Sequence, residues 1–520
     1  MRIKVTKIFT ISIIILNIIA ICSIWRLLSS KIKPKLSQIE DKPDVRNVTK
    51  SLKSTNYELN QKDITIIIRG FEHFENDIPN TVKSILSLYS NITILIISDS
   101  PLYPPINLNI TSFGKNVKFI FMKASLASSF KDRVPLLQVK GKYIFIVPDS
   151  SRFHYKTLFE KLVNISKNNV DKILAIPYKN SQPSKCLKIQ LDIREWFLRY
   201  NDHSKGTDCD CIKGKHAIFL PTEVLYNFTE PFMLPFPDSF YIQSAAMNLK
   251  VLLVGEIILD NGKDLFKSHH NQWKIQQLER ERQKHMFHKL ELKKVIRESG
   301  VVEWFGCRRD TPRCFGSIVD DTPQYLLEGK WTPPCCLGGL RRTARHVIEQ
   351  LETSNVRYWL EGGSLLGAMR GGDILPWDYD VDIGIYKEDV KKCTWLLRAH
   401  SKPVIDQQGF VWEKAVEGDF YRVQFSQVNR LHVDIFPFYS KNGTMTKDTW
   451  FKTHRQDREF PEYFLKPMSS IDFVGRTVSA PNNIHDFLEL KFGEGVIENP
   501  EYPNPKKMLS YGLKLSPVVV

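Results

Sequence analysis

The feature that most restricts how this chain can fold is an apolar, strand-like segment that carries carboxylates, Trp377-Asp-Tyr-Asp-Val-Asp-Ile-Gly-Ile-Tyr386. Alternate residues of a strand share a face, so Asp380 and Asp382 project together and Asp378 falls on the same side. Carboxylates gathered on one face repel one another unless a cation lies among them. Upstream, Tyr358-Trp-Leu-Glu-Gly-Gly-Ser364 closes a short apolar strand at Leu360, turns at Gly362 and Gly363, and can start a helix at Ser364. Glycines there let the backbone approach a phosphate, whose charge a helix N-terminus favours. Arg370 is a looser candidate for the same charge. Downstream, Leu431-His-Val-Asp-Ile-Phe-Pro437 sets Asp434 in mid-strand between Val433 and Ile435. A lone aspartate in an apolar strand costs stability unless it is paired or metal-bound. Solvated turn aspartates are the bland alternative, and the flanking valine and isoleucines argue against them.

At 520 residues the chain is too long for one core, and two or three domains are the natural expectation. Ile8 to Trp25 is uncharged and isoleucine-rich, with Arg2, Lys4 and Lys7 before it. At about 1.5 Å per residue it nearly covers a hydrocarbon core of roughly 30 Å. An uncleaved transmembrane signal anchor is expected there, with a cytoplasmic tail over 1–7 and the remainder luminal. A signal peptide cleaved near Ala20-Ile21-Cys22 is the rival. Asn-x-Ser/Thr occurs at Asn47, Asn91, Asn109, Asn164, Asn227 and Asn442, in keeping with a lumen. Residues 26–61 have little hydrophobic periodicity and read as a stem linker.

The formal charge is +16, from 73 basic against 57 acidic side chains. No zinc-finger pair, RNP signature or recognition helix accompanies the excess, so nucleic acid is not an expected partner. An anionic substrate and general solubility both remain.

Asp63-Ile-Thr-Ile-Ile-Ile-Arg69, a helical stretch from Thr81 to Leu88 and Asn91-Ile-Thr-Ile-Leu-Ile-Ile-Ser98 make a βαβ unit. Further strands are predicted at Gly141–Val147, Lys172–Pro177 and Lys250–Leu253, and a connecting helix over Trp273–Arg297. A doubly wound α/β domain over 62–292 follows. Its opening strand and Tyr143-Ile-Phe-Ile-Val-Pro-Asp-Ser-Ser151 resemble the nucleotide-sugar domain of GT-A glycosyltransferases. In that family an Asp-x-Asp holds a metal and the sugar diphosphate. Only Asp149 is present here, Ser151 standing in place of a second carboxylate, and one carboxylate binds a hard cation poorly. A non-catalytic role, acceptor binding or oligomerisation, is expected of this half.

Of nine cysteines, Cys22 lies in the expected anchor. Cys307, Cys314, Cys335 and Cys336 cluster among Gly, Pro, Arg and Asp, where structural zinc and two disulfides are nearly level as readings. Cys186 can pair with either Cys209 or Cys211.

The region from Trp304 to Pro505 resembles the LicD/fukutin family of nucleotidyltransferase-fold phosphotransferases. The resemblance is carried by Tyr358–Gly367, Trp377–Tyr386, His432–Phe438, Phe492-Gly-Glu-Gly-Val-Ile-Glu-Asn-Pro500 and Tyr502-Pro-Asn-Pro505. It implies a LicD-type catalytic domain over 293–520. It also implies that Cys307, Cys314, Cys335 and Cys336 bind zinc within the segment 307–336. The implied activity is transfer of ribitol 5-phosphate from CDP-ribitol to a phosphorylated O-mannosyl glycan, as on α-dystroglycan, by an enzyme of the Golgi membrane, single-pass and type II. Mg²⁺, or Mn²⁺, would sit at Asp380, Asp382 and Asp434, with Asp378 alongside; Asp434 is either ligand or base. Gly362, Gly363, Ser364 and Arg370 would support the phosphates. Another donor on the same fold, such as CDP-glycerol or phosphocholine, a non-enzymatic glycan-binding scaffold, and self-association into a homo-oligomer stay open.

Overall fold

Five consecutive residues, Ile64 to Ile68 (β1), are all buried, as a run without polar alternation requires of a strand covered on both faces. Each such isoleucine contributes about 1.5–3 kcal/mol by leaving water. The computed structural model describes residues 60 to 499 apart from 107–115, 180, 182, 204–205, 207, 314, 317, 320–321, 452–453 and 455. The chain divides into two compact units, and Asn60–Phe159 with Asp171–Val520 form the unit that holds the sheets and sites below. The other joins Met1–Leu59 to Glu160–Val170, whose described residues belong mostly to a helix, Leu158–Asn168.

Several expectations fall outside the described residues: the span Ile8–Trp25, almost all of the stem, Cys314, Asn47, Asn109 and Tyr502–Pro505. Among the described residues no helix is long and apolar enough to cross a membrane. The longest, His269–Lys289, is dense in Lys, Arg, Glu and Gln, side chains that are expensive in hydrocarbon. This corrects two sequence expectations together. Among the described residues the fold has no membrane anchor, and the placement in the Golgi membrane has no spanning helix there to rest on.

β1 is followed by a helix, Ile78–Leu88 (α1), then by Thr93–Ser98 (β2), Val117–Phe121 (β3), Tyr143–Val147 (β4), Lys172–Pro177 (β5), Asp208–Cys209 (β6), His216–Pro221 (β7) and Lys250–Leu253 (β8). They form one sheet in the order β3-β2-β1-β4-β7-β5-β8-β6. β1 runs parallel to β2 and β4, whereas β7 is antiparallel to both β4 and β5. The sheet is therefore mixed rather than wholly parallel. The helix expected over Trp273–Arg297 stops at Lys289. Lys294–Ile296 instead pairs parallel with Phe197–Asp202 in a separate five-stranded sheet.

The second hydrophobic core packs a helix, Pro334–Thr353 (α2), and a shorter one, Gly362–Gly371 (α3), against another sheet. Its strands are Tyr358–Leu360 (β9), Val381–Tyr386 (β10), Val404–Ile405 (β11), Val411–Lys414 (β12), Tyr421–Gln424 (β13) and His432–Lys441 (β14), ordered β9-β10-β14-β13-β12-β11. Thr444–Lys447 and Phe460–Pro461 extend it from β14. The helix Ile484–Phe492 (α4) packs on α3. β10 and β14 are parallel neighbours, which brings the two carboxylate-bearing segments side by side.

Candidate functional site

The site begins where β9 gives way to α3. Glu361 caps the helix, and its N–H bonds the Asp382 carbonyl at 3.1 Å, tying the helix start to β10. Gly362 has φ +54°, and a Cβ there would lie 3.2 Å from Asp382 Oδ2. A Cβ on Gly363 would lie 2.7 Å from Asp378 Oδ2. The two glycines thus let carboxylates come down onto the N-terminus of a helix, the end whose dipole favours negative charge. Ser364 is buried, and its Oγ accepts from the Asp382 N–H at 2.8 Å. Its hydroxyl holds the backbone of β10 in place.

Asp382 and Asp434 face each other in the parallel register of β10 and β14. On the other side, Arg422 of β13 is opposite Asp434. Its Nε and Nη2 donate to the two carboxylate oxygens, each at 2.9 Å. Burial lowers the acidity range of that guanidinium, yet Asp434 holds it above its ordinary value. Asp378 and Asp380 stand in the turn before β10. Thr332 Oγ1 donates to the Asp378 carbonyl at 2.6 Å, and Tyr325 OH donates to the Trp377 carbonyl at 3.1 Å, so the turn is pinned from outside.

His432 completes the group. Its Nδ1 lies 3.0 Å from the Arg430 carbonyl, which can only accept, so Nδ1 carries the proton of the neutral ring. Nε2 then turns a lone pair toward Asp380 Oδ2 at 4.0 Å and Asp434 Oδ2 at 3.9 Å. Burial holds the ring below its usual basicity, against the pull of Asp434. Burial pushes Asp378 up to about 6. It raises Asp380 and Asp382 well above the carboxylate range, reinforced by their mutual repulsion and by Asp434. Four carboxylates and an imidazole lone pair gathered in this way could hold a cation. The nearby lysines are already engaged: Lys491 Nζ bonds Glu361 Oε1 and Lys447 Nζ bonds Asp457 Oδ1, both at 2.6 Å.

A cavity of about 510 Å³ opens over this group, lined by Gly363, Trp377, Asp378, Tyr379, Asp380 and Asp382 among others. Its size suits a small-molecule donor. Asp434 lies behind that wall, on the Arg422 fork. Arg370 also lines the cavity, but its guanidinium donates to the carbonyls of Val496, Ile497 and Asn499, holding the segment after α4 against it. The residues absent from the sequence reading are His432, Arg422 and Thr332. The spacing His432-Val-Asp434 already put the first on the carboxylate face; the others depend on strand register and on a long-range contact.

Cys335 and Cys336 start α2, and Cys307 reaches them from a left-handed φ of 49°. The three sulfurs lie within 4.8 Å of one another, with Cys307 Sγ 2.8 Å from Cys336 Sγ. Cys307 is also disulfide-bonded. Cys186, in the five-stranded sheet, pairs with Cys209 of β6, and Cys211 remains a buried thiol. Asp149 follows β4 as expected, but its oxygens accept from the Asp77 N–H at 3.1 and 3.0 Å and from the Ser150 N–H at 2.6 Å.

The model for the "Fukutin-related protein stem domain" matches residues 51–298, and that for the "LicD/FKTN/FKRP, nucleotidyltransferase domain" matches 355–483. Sheet, glycine turn and paired aspartates therefore belong to a LicD-type transferase. Ribitol 5-phosphate transferase FKRP of Mus musculus is 43% identical over 442 residues, covering 85% of this chain and 89% of the relative. The Homo sapiens protein of that name is also 43% identical over 442 residues, covering 85% and 88%. Ribitol-5-phosphate transferase FKTN of Homo sapiens is 26% identical over 161 residues, covering 30% and 33%. The chain belongs to the fukutin-related protein family, and it is an enzyme of the transferase class.

Proposed function

We propose that the chain transfers ribitol 5-phosphate from CDP-ribitol to a phosphorylated O-mannosyl glycan. The observation that carries this reading is the register of Asp382 on Asp434 beneath a glycine-opened helix N-terminus, in a chain whose relatives are ribitol 5-phosphate transferases. A divalent cation fits the residues present, because Asp378, Asp380 and Asp382 lie together beside a neutral imidazole, with Arg422 paired to Asp434 alongside. Asp380, Asp382 and Asp434, with Asp378 or His432 beside them, would hold Mg²⁺ or Mn²⁺. Such an ion neutralises the donor diphosphate and stabilises the departing CMP.

The protein's own groups do the rest. Trp377 and Tyr379 wall the cavity, and Gly363, in the first turn of α3, lines it at the helix end whose dipole favours a donor's phosphates. Arg422 holds Asp434 in place through both carboxylate oxygens. Arg370 holds the Val496–Asn499 segment as a rim. The acceptor hydroxyl attacks the distal phosphorus in line, the new O–P bond forming as the P–O bond to CMP breaks. Asp378, on the cavity wall and outside the strand, takes the hydroxyl proton. Cys307, Cys335 and Cys336, joined by Cys314, would hold a structural zinc as thiolates, with the disulfide of Cys307 as the oxidised alternative.

The test is to incubate the protein with CDP-ribitol, Mg²⁺ and a phosphorylated O-mannosyl glycopeptide, following acceptor mass and CMP together. A ribitol-phosphate increment that EDTA abolishes is expected. CMP without an increment would replace the acceptor, and neither product from folded protein would refute the reading.

A further inference from the structure

His454 and Gln456 line the cavity over the carboxylates together with Gly363, Asp380 and Asp382, yet the transfer described above gives them no part. Both lie outside the helices and strands, so no backbone ladder holds them in place.

A buried charge does so instead. Asp457 Oδ2 accepts from the Phe451 N–H at 2.8 Å, and Asp457 Oδ1 meets Lys447 Nζ at 2.6 Å. The Asp457 N–H bonds the His454 carbonyl at 3.1 Å, and the His454 N–H bonds the Phe451 carbonyl at 3.0 Å. One carboxylate therefore closes the turn that carries His454, and a lysine fixes that carboxylate.

Lys447 is in turn fixed to the sheet that bears the site. It stands opposite Phe438 in the register of β14. His432, Asp434, Phe436 and Phe438 are alternate residues of that strand and share a face. Lys447 Nζ lies 4.0 Å from the Phe436 ring centre, 5.0 Å from that of Trp450 and 5.4 Å from that of Phe438. Its side chain is only 4% exposed. An ammonium boxed by aromatic faces and one carboxylate has little freedom to move. A second lysine repeats the device. Lys491 Nζ donates to the Arg458 carbonyl at 2.9 Å and pairs with Glu361, the residue before α3, at 2.6 Å. The turn is thus referred both to β14 and to the start of α3, the elements that carry the carboxylates and the glycines.

We propose that His454 and Gln456 contact the donor nucleotide, and that Lys447, acting through Asp457, is the positioning residue that holds them there. A buried ion pair adds little net stability, so what this one supplies is position. The proposal rests on reading the cavity as a nucleotide-donor site, and not on which alditol phosphate is transferred.

Calorimetric titration of the whole protein with CDP, in Mn²⁺, tests it. Binding is expected to weaken about tenfold in Lys447→Met and in the double variant His454→Ala, Gln456→Ala, with Mn²⁺ affinity unchanged in both. In turnover the loss should fall on the donor KM rather than on kcat. Combining all three substitutions should cost no more than either set alone, because the lysine acts through the turn. Thermal melts check folding, and if Lys447→Met does not fold, Asp457→Asn breaks the same tie and should weaken CDP at least threefold. Unchanged CDP binding in a folded variant, or losses that add in the combined one, would overturn the proposal. Wild type that binds CDP with these variant effects but transfers nothing from CDP-ribitol would refute the donor and leave this inference standing. Wild type that does not bind CDP in Mn²⁺ would overturn both.

Discussion

Two apolar strands of this protein have aspartates at one end, after β4 and at the start of β10, and they use them in opposite ways. After β4, Asp149 accepts from two backbone N–H groups, that of Asp77 shared between its oxygens and that of Ser150, and has Lys215 for a neighbour. Beside and within β10, Asp380 and Asp382 crowd each other, Asp434 and the lone pair of His432. In the first case the carboxylate's lone pairs are consumed by the fold, and it serves the turn. In the second the carboxylates face one another, and burial with mutual repulsion raises them above the ordinary carboxylate range. A strand-end aspartate is a candidate ligand only when its own backbone does not satisfy it.

The sharpest way to break this comparison is Asp382→Asn. Transfer should fall by at least about 10³-fold while the protein stays folded, since the position holds charge rather than packing. CMP release reads the loss, and turnover within tenfold of wild type would dissolve the distinction between the two aspartate sets.

Next in size is Arg422→Gln, which frees Asp434 from its two-pronged partner. A loss of about 10²-fold in kcat is expected, and Arg422→Lys should not restore it, because an ammonium cannot span both oxygens.

The pH dependence of the metal-free protein follows from the raised carboxylates. Asp378 titrates at about 6 when folded against an ordinary 3.8 when unfolded, so the folded state binds more protons between those values. Stability therefore falls as pH rises through that window, by about 2 kcal/mol for this group alone. Thermal melts in EDTA should show a lower Tm at pH 7 than at pH 4.5, and Mg²⁺ should remove the difference. A flat profile in EDTA would mean that the cluster is not strained.

The smallest effect is expected of Asp149→Asn, which weakens the turn. Removing acceptor capacity from buried N–H groups costs about 1–2 kcal/mol, seen as a lower Tm with no change in metal affinity.

The sequence made much of this legible because periodicity and local chemistry carry it. The all-apolar runs became β1, β2 and β4 within two residues of expectation, whereas the Asp-x-Asp segment is strand only from Val381, with Asp378 and Asp380 in the turn before it. What could not be read depends on partners distant in sequence. Lys294–Ile296 is a strand only because Phe197–Asp202 accepts it, so composition alone extended the preceding helix through it. The antiparallel β7, inserted between β4 and β5, has no local mark that distinguishes it from a parallel strand. Arg422 is an ordinary strand arginine until register sets it opposite Asp434. Thr332 reaches the Asp378 carbonyl from a loop that is itself tied to the first half, Trp331 N–H bonding Arg194 O at 2.9 Å and Trp196 Nε1–H bonding Trp331 O at 2.8 Å. The anchor was inferred from hydropathy alone, and no described helix takes that part.

The most direct measurement is Mn²⁺ binding, by calorimetry or paramagnetic resonance, to wild type, Asp382→Asn and Asp149→Asn side by side. One site in the wild type, lost in Asp382→Asn and intact in Asp149→Asn, is the expected result. A site that survives Asp382→Asn, or that disappears with Asp149, would contradict the assignment of the cation to the paired strands β10 and β14.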